Sequence, residues 1–189
     1  MNSEIKLALI HSGEDEQGSQ PALMKWATDV LAQRAEFEPW LLEPANFLGR
    51  SDNAAVVQRR EILRQLAEAD AFLIITSEQG NVHHCALKAF IDQVSDCWHA
   101  RPVAFIGYGG VSGGLCAISQ LRQILAGQHA VPICNFVSFP DPWGLTVGAE
   151  AIFQTDQARL SMARMLVQLN WWARALKAAR EQMRYERVG

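Results

Sequence analysis

The chain has 189 residues, of which 49% are hydrophobic and 20% charged, and its formal net charge is −3. These values are typical of a soluble globular protein, and the length predicts a single domain over residues 1–189. The mildly acidic charge, without a dense basic stripe, argues against a nucleic-acid partner. No apolar run approaches the roughly 18 residues that a membrane span requires.

The cysteines and the N-terminus indicate a cellular compartment. Cys85, Cys97, Cys116 and Cys134 are scattered and include no Cys-x-x-Cys pair, which is typical of reduced thiols. The first residues lead directly into a strand-like run without a signal-peptide pattern. We therefore expect a cytoplasmic protein.

Apolar runs and helical spacings alternate along the chain. The predicted strands are Ile5–Ile10, Phe37–Leu42, Phe72–Ile75, Pro102–Gly107 and Val131–Phe139. The predicted helices begin at Pro21, before Val56, at Cys85 (ending near Trp98), at Leu115 (ending near Ala126) and after a Thr155 cap, while 43–53 reads as a loop. Five strands alternating with five helices through short connections predict an α/β fold. We expect a three-layer, doubly wound, five-stranded parallel sheet of flavodoxin-like order, with the last strand at an edge or a bend.

One stretch, Ala69–Asn81, organises the rest of the chain. Its apolar run Phe72–Ile75 is typical of a strand buried on both faces. The run stops in the polar, turn-forming residues 77–81. In open α/β sheets, ligands bind outside the carboxyl ends of the strands. We therefore expect a ligand site built from three loops on one rim: Ser12–Ser19, Ser77–Cys85 and Tyr108–Gly114.

The loop Tyr108–Gly114 contains four glycines in seven residues. Glycines remove the Cβ atoms that would keep a flat ligand from the backbone, and they permit conformations that aim amide groups outward. The alternative is a tight strand-to-helix turn without a ligand. Four glycines exceed what such a turn needs, so we expect a ligand here.

Several segments together resemble a known family. They are Ala69–Asn81, Leu87–Asp92, Arg101–Val103, the Gly-Gly-Val-Ser-Gly-Gly loop at 109–114 and Gln120–Arg122. The chain resembles the NAD(P)H-dependent FMN reductase family of flavodoxin-like quinone, flavin and azo reductases.

This resemblance implies a flavoprotein oxidoreductase that holds FMN non-covalently and passes a hydride from NADPH or NADH through the flavin. The acceptor would be a quinone, a free flavin or a similar small molecule, and the protein a homodimer or homotetramer. No side chain is expected to act as a catalytic acid or base, because the cofactor carries the chemistry. The expected FMN residues are Ser12, Gly13 and Ser19 at the phosphate, and Ser77, Glu78, Gln79, Gly80, Asn81, Tyr108, Gly109, Gly110, Ser112 and Gly113 at the ring.

The chain departs from the family pattern in two loops. The family's first loop reads Gly-Ser-x-Arg-x-x-Ser, whereas here the arginine is missing and Glu14-Asp15-Glu16 precede Ser19. Each carboxylate would repel a phosphate by about 1 kcal/mol, unless this loop is a solvated turn that points away. The second loop lacks the aromatic of Pro-Glu-Tyr-Asn, so we consider the Tyr108 ring as an alternative stacking surface.

These departures support a second hypothesis, a flavodoxin-like binding or assembly subunit that no longer holds FMN tightly. A third is an enzyme that uses the same pocket for a ligand other than flavin. His83-His84-Cys85 invites a metal interpretation, but adjacent residues rarely point at one ion, so we expect no metal site there.

Two features lie in the last helix. Trp171 and Trp172 are adjacent, so they cannot both face the core, and one exposed tryptophan is expected there, either as an association surface or as a partly covered neighbour. The basic residues towards the helix end, which include Lys177 and Arg180, are expected to complement the helix dipole.

Overall fold

The computed structural model describes residues 4–11, 20–48, 53–78, 85–140 and 150–185, and a five-stranded parallel sheet runs through them. The strands are β1 (Ile5–His11), β2 (Phe37–Leu42), β3 (Ala71–Ser77), β4 (Pro102–Tyr108) and β5 (Val131–Phe139). Every strand begins and ends within two residues of its predicted bounds. The strand order β2-β1-β3-β4-β5 is the flavodoxin-like order, so the predicted fold is confirmed.

Helices cover both faces of the sheet. They are α1 (Gln20–Ala32), α2 (Pro44–Leu48), α3 (Asn53–Glu68), α4 (Cys85–Gln93), α5 (Leu115–Gly127), α6 (Glu150–Phe153) and α7 (Asp156–Gln182). α1, α6 and α7 pack on one face, and α2 to α5 pack on the other. None of the helices in the described ranges is both long and apolar enough to cross a membrane.

Successive residues of the central strands alternate between the two helix layers. In β3, Leu73 and Ile75 pack in the α1/α7 layer, whereas Phe72 and Ile74 pack in the α2–α5 layer. All seven residues of β3 are buried. Both faces therefore need apolar side chains, which explains why β3 appears in the sequence as a continuous apolar run rather than an alternating one.

Two helical predictions were wrong in detail. The predicted loop 43–53 contains α2, whose Phe47 is buried with its ring 5.3 Å from that of Phe90. Five residues are too few to show a helical period, although proline at the first position is a typical start signal.

The helix predicted to run from Cys85 to Trp98 instead ends at Gln93, and a 3-10 turn follows at Ser95–Trp98. The Trp98 indole donates to the Ile91 carbonyl at 3.1 Å, and that carbonyl would otherwise accept the amide four residues later. Burial of this indole therefore accompanies the early end of the α-helix.

Helix α7 has the predicted cap and the predicted exposed tryptophan. The Thr155 hydroxyl accepts the Ala158 amide at 3.2 Å, which caps the helix. Trp171 is 63% exposed while Trp172 is half-buried, as expected for neighbours on one helix. Lys177 and Arg180, however, do more than complement the dipole, because both reach the buried Asp70 at the start of β3.

The outer strand β5 lies at an edge of the sheet and is irregular. Val103 pairs with Pro132 but Phe105 pairs with Phe136, so β5 advances four residues while β4 advances two. The Cys134 carbonyl in this irregular stretch accepts from Arg122 of α5 at 3.0 Å. The next amide, that of Asn135, donates to the Gln168 side chain of α7 at 2.9 Å.

Candidate functional site

Three strands end together at one rim of the sheet. His11 of β1 is in register with Ile75 of β3, and Ser77 of β3 is in register with Tyr108 of β4. The three loops predicted to form the ligand site therefore leave the sheet from the same edge. The predicted residues Ser12, Gly13, Ser19, Gln79, Gly80 and Asn81, together with His83 and His84, lie outside the described residues.

The β4–α5 loop has all four of its glycines at positive φ. At Gly114, which precedes α5, a Cβ would lie 2.6 Å from the Tyr108 nitrogen and 2.7 Å from the Gly107 Cα. Side chains do not tolerate such contacts with backbone, so this glycine is explained by the close approach of helix and strand. The tight-turn alternative accounts for Gly114 without a ligand.

Gly110 has a different environment. Its φ is +58°, and among the described residues the atom nearest to a Cβ there would be Glu78 Oε1, at 3.6 Å. The neighbouring Val111 is 97% exposed. The tip of the loop therefore presents a backbone face without a Cβ, and among the described residues the Glu78 carboxylate is the group within van der Waals distance of it. A flat aromatic ligand can lie against such a face.

Glu78 joins the second loop to the third. It is 7% exposed, and its Oε2 accepts the Ser112 hydroxyl and the Cys116 amide, the latter at 3.2 Å. The backbone amide of Glu78 donates to the Tyr108 carbonyl at 2.9 Å. Two predicted site residues, Glu78 and Ser112, are thus in direct contact.

The carboxylate of Glu78 also caps α5. Cys116 lies in the first turn of this helix, where amides have no partner within the helix. Gly114 at the N-cap has no side chain to supply one. A negative charge is favoured at this end of the helix dipole, so Glu78 replaces the missing cap from a different strand. Cys116 was not among the predicted site residues. The only feature of the sequence that pointed to it is Gly114, an N-cap residue without a side chain to accept an amide.

The expectation that the Tyr108 ring offers a stacking surface is wrong. Tyr108 is 1% exposed, and its side chain packs in the α1/α7 layer with Ile106 and Phe139. Its contribution to the rim is the carbonyl that accepts from Glu78. Gly109 is likewise fixed through its backbone, because its amide donates to the Phe139 carbonyl at 3.2 Å.

The remaining described residues of the rim are buried or hydrogen-bonded. Ser77 is buried at the end of β3, and the Ser138 hydroxyl of β5 donates to the Gly113 carbonyl at 2.8 Å. His11, at the end of β1, is buried between Gln20, whose amide lies against Nδ1, and Glu43, whose Oε1 lies 3.0 Å from Nε2. With the glutamine amide as donor to Nδ1, the Nε2–H donates to Glu43.

The described side chains of this rim have the chemistry that an organic ligand needs. Among the described residues, no group of three or more His, Cys, Asp or Glu side chains is placed to hold a metal. The rim supplies instead a glycine face at Gly110, an exposed apolar side chain at Val111 and a buried carboxylate at Glu78. These residues fit the ring of a flavin.

Comparison with known protein families matches residues 5–144 to the family described as NADPH-dependent FMN reductase. An NAD(P)H-dependent FMN reductase of Schizosaccharomyces pombe is 33% identical over 60 residues. That match spans 32% of this chain and 30% of the yeast protein.

Three solved structures show the same fold at low sequence identity. The flavoenzyme NAD(P)H:(acceptor) oxidoreductase FerB of Paracoccus denitrificans has a TM-score of 0.66 and 17% identity, covering 90% of this chain and 98% of its own. A cysteine-to-alanine mutant of flavodoxin from Pseudomonas aeruginosa has a TM-score of 0.56 and 19% identity, covering 92% and 99%. The general stress protein 14 of Treponema denticola, solved in complex with FMN, has a TM-score of 0.53 and 15% identity, covering 91% and 99%.

Proposed function

Because the chain belongs to the NADPH-dependent FMN reductase family, we propose that it binds FMN at the strand-end rim and transfers reducing equivalents from NAD(P)H to a small acceptor. The observation that carries this proposal is the backbone face at Gly110, where a Cβ would meet, among the described residues, only the Glu78 carboxylate within 4 Å, in contrast to the backbone contacts at Gly114. The acceptor is proposed to be a quinone, a free flavin or a similar molecule.

The described residues have defined roles in this proposal. Bound flavin supplies the hydride chemistry, as in other flavin enzymes. Gly110 lets the ring approach the backbone, and Val111 covers its apolar part. Glu78 holds Ser112 and the start of α5 in place, so that the glycine loop is ordered before the ligand arrives. A loop ordered in advance lowers the entropic cost of binding.

The phosphate is proposed to bind at the first loop, with Ser12, Gly13 and Ser19. A site just before α1 places an anion at a helix N-terminus, where amides and the dipole favour it. The first turn of α1 itself carries no acidic residue.

The visible absorption spectrum of the purified protein, followed by titration with FMN, tests this proposal directly. We expect flavin absorption or a micromolar or tighter dissociation constant, and FMN-dependent oxidation of NADH or NADPH when a quinone or free flavin is added. A colourless protein that does not bind FMN would contradict the proposal.

A second candidate function is a binding or assembly subunit without tight FMN, which the acidic segment Glu14-Asp15-Glu16 favours. If these charges weaken phosphate binding, Asp15→Arg tightens FMN binding several-fold at low salt. Asp29→Arg is the matched control, since Asp29 is an exposed residue of α1 paired with Lys25. Equal effects of the two variants would mean that net charge alone is responsible.

We also propose that the protein is a homodimer or homotetramer. The exposed Trp171 and Val167 on α7 line a groove of about 590 Å³, and large exposed apolar groups favour association. Light scattering during size-exclusion chromatography measures the oligomeric state, and a monomer at all concentrations would contradict this part of the proposal.

A further inference from the structure

The two oxygens of the Glu78 carboxylate have different surroundings. Oε2 accepts two hydrogen bonds, from the Ser112 hydroxyl and the Cys116 amide. Oε1 lies on the side of Gly110, 3.6 Å from the point where a side chain would begin. The hydrogen bonds to Oε2 therefore hold the carboxylate in place, while Oε1 faces the Gly110 backbone proposed for the flavin ring.

Neutral groups and a helix end compensate the charge of this carboxylate. Within the described part of the chain, the ion pairs formed by Lys, Arg and His do not include Glu78. Its partners are a hydroxyl and a backbone amide in the first turn of α5. Glu78 thus places in the rim a carboxylate that is stabilised by hydrogen bonds and a helix N-terminus, without an ion pair to a described cation.

We propose that Glu78, besides holding the glycine loop, sets the balance between oxidised and reduced flavin. This inference rests on the proposed function. Hydride transfer moves two electrons and one proton from NAD(P)H to oxidised flavin and releases NAD(P)⁺. The reduced flavin has then gained one negative charge, unless it takes up a second proton. A fixed carboxylate nearby disfavours that added charge.

The consequence is a preference for oxidised FMN, and therefore a lower reduction potential than the same site would give without the charge. One unit charge at about 10 Å from the flavin, at an effective dielectric constant of about 20, changes the affinity for reduced FMN relative to oxidised FMN roughly tenfold. A flavin of low potential passes its electrons on readily, which suits a protein that reduces a small acceptor.

Two variants separate the charge of Glu78 from its role as a support. Glu78→Gln removes the charge but keeps an oxygen that can accept from Ser112 and Cys116. Ser112→Ala keeps the charge and removes one of its hydrogen bonds. Both loosen the contact between the two loops, so a purely structural role predicts similar effects from the two variants.

The experiment measures the midpoint potential of the FMN-loaded protein by equilibration with a reference dye, together with the dissociation constant for oxidised FMN. We expect Glu78→Gln to raise the affinity for reduced relative to oxidised FMN about tenfold, which is about 30 mV upward for a two-electron couple. We expect Ser112→Ala to lower the potential, because its carboxylate is less compensated.

Each outcome decides the question. An unchanged potential in Glu78→Gln with bound FMN, or an upward shift of equal size in Ser112→Ala, would overturn the inference and leave the proposed function intact. If Glu78→Gln does not fold, the sign of the Ser112→Ala shift still tests the charge. A wild-type protein that binds no FMN would overturn the proposed function itself, and this inference with it.

Discussion

Lys177 in the last helix lies with its Nζ 2.8 Å from Oδ2 of Asp70, a residue 107 positions earlier in the chain. Arg180, one turn further along α7, places Nη2 3.4 Å from the other oxygen, and the Lys6 amide donates to Oδ2 at 3.2 Å. The Asp70 side chain is 7% exposed. These contacts fasten the end of α7 to the amino-terminal ends of β1 and β3.

Asp70→Asn should therefore destabilise the fold. Removing one partner of a largely buried ion pair leaves the other charges without compensation, and we expect a loss of about 2–4 kcal/mol in the free energy of unfolding. Urea denaturation measures it. Glu61→Gln is the control, because the Glu61–Arg64 pair is solvent-exposed and its loss should leave stability nearly unchanged. Equal losses in the two variants would show that burial of Asp70 does not matter.

Gly114→Ala tests the close approach of α5 to β4. A Cβ at this position would lie 2.6–2.8 Å from backbone atoms of residues 107 and 108, at a φ of +84°. We expect a loss of about 2–4 kcal/mol from backbone strain and displacement. At Gly127, by contrast, a Cβ meets no atom of the described residues within 4 Å, so Gly127→Ala should be neutral or stabilising by up to about 1 kcal/mol. Thermal melts of both variants measure this. A higher melting temperature for Gly114→Ala than for Gly127→Ala would contradict the prediction.

Gly110→Val tests the proposed ring site. Among the described residues, a Cβ there would meet only the Glu78 carboxylate, at 3.6 Å, and no core side chain within 4 Å, so we expect a folded protein that has lost FMN binding. Gly110→Ala shares the positive φ but adds one carbon only, and we expect it to bind FMN more tightly than the valine variant does. Flavin content after FMN loading is the measurement. Unchanged content in Gly110→Val would rule out this face as the ring site.

Cys97 should react more slowly with alkylating agents than Cys85 and Cys134. Cys85 and Cys134 are exposed, whereas burial raises the pKa of the Cys97 thiol above its ordinary value of 9.0. Only the thiolate is alkylated, so iodoacetamide at about pH 8 should modify Cys97 after Cys85 and Cys134. Peptide mass spectrometry measures the order of labelling. Labelling of Cys97 as fast as Cys134 in the native protein would contradict it.

The same pKa shift has a consequence for stability. Because the folded state favours the neutral thiol, Cys97 contributes stability below the unfolded pKa, and this contribution is lost as the pH rises through the raised folded pKa. Cys97→Ala should therefore reduce the stability lost in alkaline solution relative to neutral pH. Urea titrations at both pH values test this, and an identical pH dependence in wild type and variant would argue against it.

The strands, and the rim at which three of them end together, could be predicted from the sequence for a simple reason. Apolar runs bounded by turn residues fix where strands begin and end, and parallel strands necessarily share the edge at which their loops leave. The contact between Glu78 and Ser112 could not be predicted in this way, because it joins residues 34 positions apart through side-chain conformations. The same holds for Asp70 and Lys177.

The orientation of Tyr108 shows a different limit of prediction from the sequence. Ala104, Ile106 and Tyr108 face the α1/α7 layer, while Val103 and Phe105 face the other. The side chains of β4 keep alternating between the two helix layers up to the last residue of the strand, which directs the Tyr108 ring into the core. In a strand buried on both faces, however, both sets of positions are apolar, so the sequence does not distinguish an inward ring from one at the rim.

The irregular stretch of β5 has a consequence for what can attach to this side of the sheet. An exposed edge strand ordinarily offers its free amides and carbonyls to a strand from another chain. Here Arg122 already occupies the Cys134 carbonyl and Gln168 already occupies the Asn135 amide, from helices on opposite faces. An incoming strand would have to displace both side chains at this stretch. The two side chains therefore oppose aggregation by strand addition at this part of the edge.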